Sequence, residues 1–543
     1  MATAVSSAMI ELGEVTRRRG GPLLAALRSM PAERRALRIQ LVHPPGVYKP
    51  GNLTSLTPCL PLGLAYVAAA LELAGFPVGV IDAIGEAPDH VEQHGEFCRV
   101  GLTADQIVAR IDPDTRVVAI GNMFSFLWPL TREIIHAIRA ARPDVVIVGG
   151  GEHFTALTEH SMQQAPLDFI AMGEGEETAL ALMDALAAGG KDYGAIAGVA
   201  WRDGHAIRVN PRRDRSTNVD ALPWPAWHLF NVRGYDEREF VNAIHKGLTV
   251  PILATRGCPY QCTYCSSPNM WTQRWIPRDP VDVAEEIEHL HRTYGAVNFP
   301  FQDLTAIIRK DWIVAFCREI LRRGLKIVWQ FPSGTRCEAI DDEVAPLLYQ
   351  SGGRHLAFAP ESGSERTRAL IKKKMTTPAL LASVRASVRH KLNVTAFFVL
   401  GFPHDTRADL RGSVRLARRL AREGIDDVNM SFFFPIPNTE LYRSLVARGR
   451  IRLTDEFLMT PIVSTEARLR EDNNYCEHIS ARELTLWKYW LFGNFYAVSF
   501  VMRPSRILRI IATLFTSRED TKLEAFIQEV KRRFRARPSA RSR

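Results

Sequence analysis

Three of the eight cysteines in this 543-residue chain fall within eight positions, Cys258, Cys262 and Cys265 in the string RGCPYQCTYCSSP. Thiolates are the ligands of iron–sulfur clusters. Spacings of three and then two residues let one loop wrap three corners of a four-iron four-sulfur cubane. Because only three cysteines are local, the fourth iron stays open to an outside ligand, the coordination that reductive cleavage of a sulfonium cofactor needs. Zinc is the competing chemistry. A structural zinc site closes four ligands, commonly from paired CxxC units, and no second pair lies near. Cys317 and Cys337 stand 52 and 72 residues beyond Cys265, and a thiol in helical sequence such as Cys317 reads as a small buried hydrophobe. The cysteines form no disulfide framework, which predicts a reducing, cytoplasmic setting.

The elements that must position this loop are apolar strands alternating with helical sequence. ILATRG runs straight into the cysteines, and VDVAEEIEHLHRTYG is a helix with Val283, Ile287 and Leu290 on one face and Gly295 as its stop. AVNFPFQD, LKIVWQFPSG, HLAFAPESG, NVTAFFVLGFP and DDVNMSFFFPIP follow as strands. At least six strand–helix units over residues 250–450 predict a full or partial parallel (β/α) barrel with its chemistry at the carboxyl ends. Residues 37–185 repeat the alternation in smaller units, from LRIQLVHPP to MGEGEET, and predict a Rossmann-like, doubly wound α/β domain. Residues 186–249 are a linker with a small hairpin, VAWRDGHAIRVN, and the extended stretch LPWPAW. A mostly helical C-terminal region covers 451–530, and a flexible basic segment (1–36) and a basic tail (531–543) flank the whole.

Over residues 250–445 the chain resembles the radical S-adenosylmethionine superfamily, whose barrel opens with CxxxCxΦC, Φ being aromatic. The resemblance implies that the methionine amine and carboxylate chelate the open iron. One electron then cleaves the carbon–sulfur bond, and the resulting 5′-deoxyadenosyl radical abstracts hydrogen. It places Tyr264 beside the adenine, Asp303 at the methionine moiety, and Ser333, Arg336, Glu361 and Ser362 at ribose and carboxylate, with Leu400 and Gly401 backing the adenine.

Residues 37–185 resemble the cobalamin-binding domain that precedes the barrel in one branch of that superfamily. VIVGGGEH (Gly149, Gly150, Gly151, His153) and MGEGEET (Gly173, Glu174, Gly175) carry the likeness. Residues without a Cβ let the backbone approach a wide planar ligand, although the same glycines would also serve the tight turns of any flavodoxin-like sheet. GEGEET opens a helix, where acidic residues favour the positive end of the dipole. The DxHxxG pattern that gives cobalamin an axial histidine in the mutases is absent. The loop Asn122–Leu130 is then expected to present Phe124, Ser125 or Trp128 to the lower face, and His153 reads as a turn residue or a contact to the cofactor tail rather than a cobalt ligand.

This domain order implies a cobalamin-dependent methyltransferase acting on an unactivated carbon, reduced by a donor such as flavodoxin or ferredoxin, and the aromatic C-terminal region with Arg503–Phe515 points to a small apolar substrate (lipid-like, isoprenoid or tetrapyrrole) rather than a sugar. The anaerobic Mg-protoporphyrin monomethyl ester cyclases share the order, so radical cyclisation is the alternative. A cobalamin-binding protein without chemistry is opposed by the intact cysteines. The aromatic run Trp487, Trp490, Phe492, Phe495, Tyr496 and Phe500 either caps the barrel mouth or is ordinary core. Charge speaks against nucleic acid as a partner. Of the net +10, residues 1–38 hold seven arginines against three glutamates and residues 531–543 hold seven basic residues and no acid, which leaves the body between them at −1. Such ends are solvated tails or contacts to an anionic membrane surface. The longest uncharged run near the C-terminus, Tyr489–Met502, has 14 residues, too few to span a bilayer.

Overall fold

Aliphatic β-branched residues dominate five short strands, Ile39–His43 (β1), Val78–Asp82 (β2), Val117–Gly121 (β3), Val146–Gly150 (β4) and Phe169–Ala171 (β5). Strands this uniformly apolar suit a parallel sheet covered on both faces. They pair in parallel in the order β2–β1–β3–β4–β5 in the computed structural model. In that order the winding reverses between β1 and β3, and the crevice at the carboxyl ends there is the ligand position of doubly wound sheets. The structure describes residues 32–49, 58–216, 218–464, 468–516 and 520–535. Residues 1–31 and 536–543, most of the two basic ends, lie outside them.

The hairpin Val199–Asp203 (β6) and Ala206–Val209 (β7), expected within a linker, is instead the antiparallel edge of this sheet, with Phe169, Ile170 and Ala171 opposite Trp201, Ala200 and Val199. Helices Leu62–Leu73 (α1), Trp128–Ala141 (α2), Glu152–Ala156 (α3) and Gly175–Ala187 (α4) flank it. In α2, Ile134, Ile135 and Ile138 are buried at helical spacing.

The second sheet follows chain order. Thr249 and Ile252 bridge in parallel to Asn298 and Phe301. Asn298–Pro300 (β8), Val328–Thr335 (β9), Gly353–Glu361 (β10), Asn393–Leu400 (β11) and Asp427–Phe432 (β12) then pair one after another. Six parallel positions make the partial form of the expected barrel. Around it lie Ser267–Trp271 (α5), Pro280–Tyr294 (α6), Lys310–Arg323 (α7), Thr377–Arg389 (α8) and Arg407–Glu423 (α9).

Ala481–Met502 (α10), Ser505–Phe515 (α11) and Lys522–Arg535 (α12) close the fold. The aromatic run of α10 does not cap the barrel mouth. Only its start is there, where Leu484 meets Gly401. From that point α10 descends beside α9, with Arg418 on Asn494 (2.8 Å), until Tyr496 reaches Asp427 at the amino end of β12 (3.4 Å). Leu484, Leu491 and Phe495 join the barrel core, so the helix seals the barrel's flank.

Candidate functional site

The cysteine loop leaves a two-residue strand, Thr255–Arg256, and re-enters through α5. Its entry is braced by Asp303, just past β8. That carboxylate accepts the backbone N–H groups of Ala254 (3.1 Å) and Thr255 (2.5 Å) and the Thr255 hydroxyl (2.6 Å). Burial pushes the Asp303 carboxyl up to about 6, against the pull of these donors. Asp303 was expected at the methionine moiety of a cofactor; its oxygens instead hold the strand that presents the cysteines.

Within the loop Cys265 N–H donates to the Cys262 carbonyl (3.1 Å), and Thr263 N–H donates to the carbonyl of Ile371 (3.1 Å). None of the three cysteines is in a disulfide. Burial raises all three thiols, Cys265 to about 12, and the ammonium of Lys373 opposes that rise at each of them. Among the described residues no three His, Cys, Asp or Glu side chains converge closely enough to hold a single metal ion. The donors are nevertheless three soft, unpaired thiols beside a buried cation, and that set fits a thiolate-ligated cluster of net negative charge.

Around the loop the strand ends supply a second ring of contacts. The Tyr264 hydroxyl donates to Glu361 Oε1 (2.8 Å), and Lys373 Nζ pairs with the same oxygen (3.1 Å). Glu361 ends β10 at φ +62°, a left-handed conformation uncommon for its type. The Tyr264 ring meets Phe402 edge-on at 5.4 Å, which brings it to the end of β11. There Leu400 is buried and Gly401 sits at φ +84°, a backbone conformation that disfavours a side chain, with Leu484 Cδ1 2.8 Å from where a Cβ would lie. Asp405 organises this turn, accepting from Gly401 N–H (3.1 Å) and Phe402 N–H (3.0 Å).

Tyr264, Glu361, Leu400 and Gly401 therefore converge, as the sequence suggested. Arg336, expected at ribose or carboxylate, turns to the cysteine loop. Its guanidinium stacks 4.2 Å over Tyr260 of the cysteine loop and donates to Glu338 and to the Lys374 carbonyl. Ser362 is taken up in a turn, accepting from Ser364 N–H (3.1 Å), and Ser333 is exposed near Asn242 (3.4 Å). Lys373, Tyr260 and Asp405 were missed. A lysine run reads as a solvated face in sequence, and only the fold brings residues 371–374 under the cysteines.

On the first sheet, Gly149 and Gly150 end β4 and Gly151 begins the turn into α3. Gly151 has φ +109°, and a Cβ there would lie 2.7 Å from the Asn122 carbonyl oxygen. Asn122 follows β3 at the switch point, with both polar atoms of its side chain buried and without a hydrogen-bond partner. An orphaned amide beside a turn stripped of side chains fits a polar, planar ligand such as cobalamin at this crevice. His153 is buried in the core, stacked on Trp128 at 4.8 Å, and burial pushes its pKa down to about 3. Trp128 is itself fully buried, so neither ring can face a ligand. Ser125, in a single turn of 3₁₀ helix, is half-buried and Phe124 is exposed.

The second glycine motif is engaged within the protein. Gly173 N–H donates to Thr155 Oγ1 (2.9 Å), and Gly175 packs on Val67 of α1. Glu174 pairs with Arg215 (3.1 Å) and Arg256 (3.2 Å), and Glu176 with Arg256 (2.5 Å). These acids tie the first sheet to the residue two before Cys258. Arg256 also lies over Tyr66 (5.1 Å) and Trp271 (5.6 Å). Arg212 donates to the Met270 carbonyl (2.9 Å), and Thr155 Oγ1 reaches Met270 Sδ (3.8 Å). The glycine turns and the cysteine loop thus meet across α5.

Comparison with known proteins matches residues 48–183 to the B12-binding domain and residues 252–417 to the radical SAM superfamily. Cytidylyl-2-hydroxyethylphosphonate methyltransferase of Streptomyces wedmorensis is 27% identical over 77% of this chain and 83% of its own. The anaerobic magnesium-protoporphyrin IX monomethyl ester cyclase of Cereibacter sphaeroides is 26% identical over 81% of this chain and 70% of its own. The fold is that of the radical S-adenosylmethionine methyltransferase TsrM from Kitasatospora setae, solved with cobalamin and a [4Fe-4S] cluster. The two align with TM-score 0.62 and 17% identity over 85% of this chain and 88% of that one.

Proposed function

We propose that this chain, which belongs to the cobalamin-dependent radical S-adenosylmethionine enzymes, transfers a methyl group to an unactivated carbon of a small apolar substrate. Its cofactors are cobalamin, S-adenosylmethionine and a [4Fe-4S] cluster, which together supply a one-electron hydrogen abstraction and a transferable methyl group when bound. Cys258, Cys262 and Cys265 hold three corners of the cluster, with Lys373 offsetting its charge. The Tyr264–Phe402 pair, Leu400 and Gly401 form the wall against which the adenine lies, and Glu361 keeps Tyr264 in place. Asn122 and the turn Gly149–Gly151 receive the cobalamin.

The observation that carries this reading is the junction at α5. Arg256 is pinned to Glu174 and Glu176 two residues before the first cysteine, so the turns that receive one cofactor and the loop that receives the other are fixed against each other. An apolar substrate is in keeping with the aromatic core just past the strand ends, where Phe402 packs on Phe433 (5.1 Å) and Phe434 on Phe457 (5.2 Å). An external one-electron donor of the flavodoxin or ferredoxin kind completes the cycle. Cyclisation is the second reading, because cyclase relatives span most of the chain. Reaction under reducing, anaerobic conditions with methyl-labelled S-adenosylmethionine separates the two. Methyl transfer gives a product heavier by one labelled methyl in place of hydrogen, absent with Cys262→Ala; an altered product without label sinks it.

A further inference from the structure

Helix α11 is built inside out. In α11 the residues turned to the protein are polar. Arg506 donates to Ser499 Oγ (2.6 Å) and to the carbonyls of Ile425 (2.7 Å) and Gly424 (2.8 Å), Thr513 is buried, and Arg509 pairs with Glu524 (2.5 Å). The opposite face is apolar and open, with Leu508, Ile511 and Phe515 at 69, 47 and 83% exposure. Helix α10 is mixed: it buries Leu484, Leu491 and Phe495 together with Lys488, Asn494 and Ser499, and leaves Trp490 and Val501 58 and 82% exposed. A surface helix ordinarily turns its apolar stripe to the core. Contiguous exposed apolar surface of this kind marks a site of interaction.

Charge indicates what the face meets. Residues 484–516 contain no Asp or Glu, and the positive run 531–543 has seven basic residues and no acid. That run starts at the C-terminal end of α11, because α12 folds back on it and sets Lys531 Nζ on the carbonyls of Thr513 (3.1 Å) and Thr516 (3.2 Å). No described helix is long and apolar enough to cross a membrane. We propose that α11, with the end of α10 and the basic run, is a docking surface for an anionic lipid bilayer. Its apolar residues seat at the acyl boundary and its basic residues meet the headgroups. A second copy of the chain would also cover apolar residues, but it would bring the same positive run against its twin. The surface flanks the Gly424–Asp426 turn that enters β12, at the amino ends of the barrel strands. Docking therefore leaves the cysteine loop, at the carboxyl ends, clear of the bilayer and requires nothing of the radical chemistry.

Co-sedimentation of the full chain with phosphatidylcholine vesicles, with and without phosphatidylglycerol, tests this. Binding should need the anionic lipid and weaken as salt rises. Leu508→Glu with Phe515→Glu should lower partitioning by at least about tenfold, and Gln at Arg537, Arg541 and Arg543 by about 10- to 100-fold on anionic vesicles alone. The tail variant leaves the helices untouched, so a fault in folding would not imitate its result. Failure to bind either vesicle, or binding that both variants leave unchanged, overturns the proposal. So does a dimer that Leu508→Glu with Phe515→Glu converts to monomer while vesicles bind nothing.

Discussion

Asp303 shows how one carboxylate can brace a site through its backbone, by accepting from Ala254 and Thr255 ahead of the cysteines. Removing it as Asp303→Ala leaves the buried N–H groups of Ala254 and Thr255 without acceptors, at about 1–3 kcal/mol each. The expected outcome is a lower melting temperature and less iron bound per chain after anaerobic reconstitution, with all three cysteines intact. The titration has a definite sign. Its carboxyl is raised from 3.8 to about 6 in the folded chain, so folding takes up a proton. The stability it contributes is full below the unfolded value and is lost as pH rises through about 6. Asp303→Asn should flatten that part of the stability–pH curve, as urea midpoints across this range would report; an unchanged slope would assign the titration elsewhere. The cysteines and Tyr264 were legible in sequence because their pattern is local. Lys373 was not, since its place depends on bringing together positions 111 apart from Cys262, as the Lys373–Glu361–Tyr264 contacts show.

At the scale of elements, the tie between α4 and the strand before the cysteines is a buried ion pair. Glu176 and Arg256 are each within a tenth of full burial. Burial by itself would raise the Glu176 carboxyl, but the charge and hydrogen bonds of Arg256 hold it below the ordinary carboxylate range. A depressed folded value means stability that is present above the unfolded pKa and lost as pH falls through the folded one. Breaking such a pair strands a charge, at about 3–5 kcal/mol. Glu176→Ala should therefore cost about that much at neutral pH by urea unfolding, while Glu176→Leu with Arg256→Met should recover most of it; a loss under 1 kcal/mol for Glu176→Ala would mean solvent reaches the pair. In sequence, GEGEET read as acids favouring a helix start, and α4 does begin there. That Arg256 is the partner could not be read, because the pair spans 80 residues. Alternation of strand and helix was legible throughout for the same reason as the cysteines: periodicity is local. The path of α10 was not, because an aromatic helix suits a mouth or a flank equally well until the open side of the barrel is known.

Across the whole molecule the two sheets do not own separate interiors. One core joins Leu60, Ala65 and Ile84 of the first unit to Trp227 and Tyr235 of the connecting segment and to Val250, Ile252 and Phe299 of the barrel. A second joins Val42, Ile81 and Phe154 to Phe402, Phe433 and Phe457. Domains that meet through small polar interfaces move relative to one another; units that share cores cannot separate without exposing them. Two cofactor sites on one rigid frame keep a fixed distance, which is what passing a group between them requires. The same sharing sets the unfolding behaviour. Scanning calorimetry should give one cooperative transition, not one for each sheet. A fragment of residues 250–543 alone should bind a hydrophobic dye and fail to hold iron, because the partners of Val250, Ile252, Phe402 and Phe433 would be missing. Two resolved transitions, with a soluble fragment that takes up a full cluster, would show that the shared cores are not needed to hold the barrel. The distance between the sites would then be set by the Arg256 pair and α5 alone.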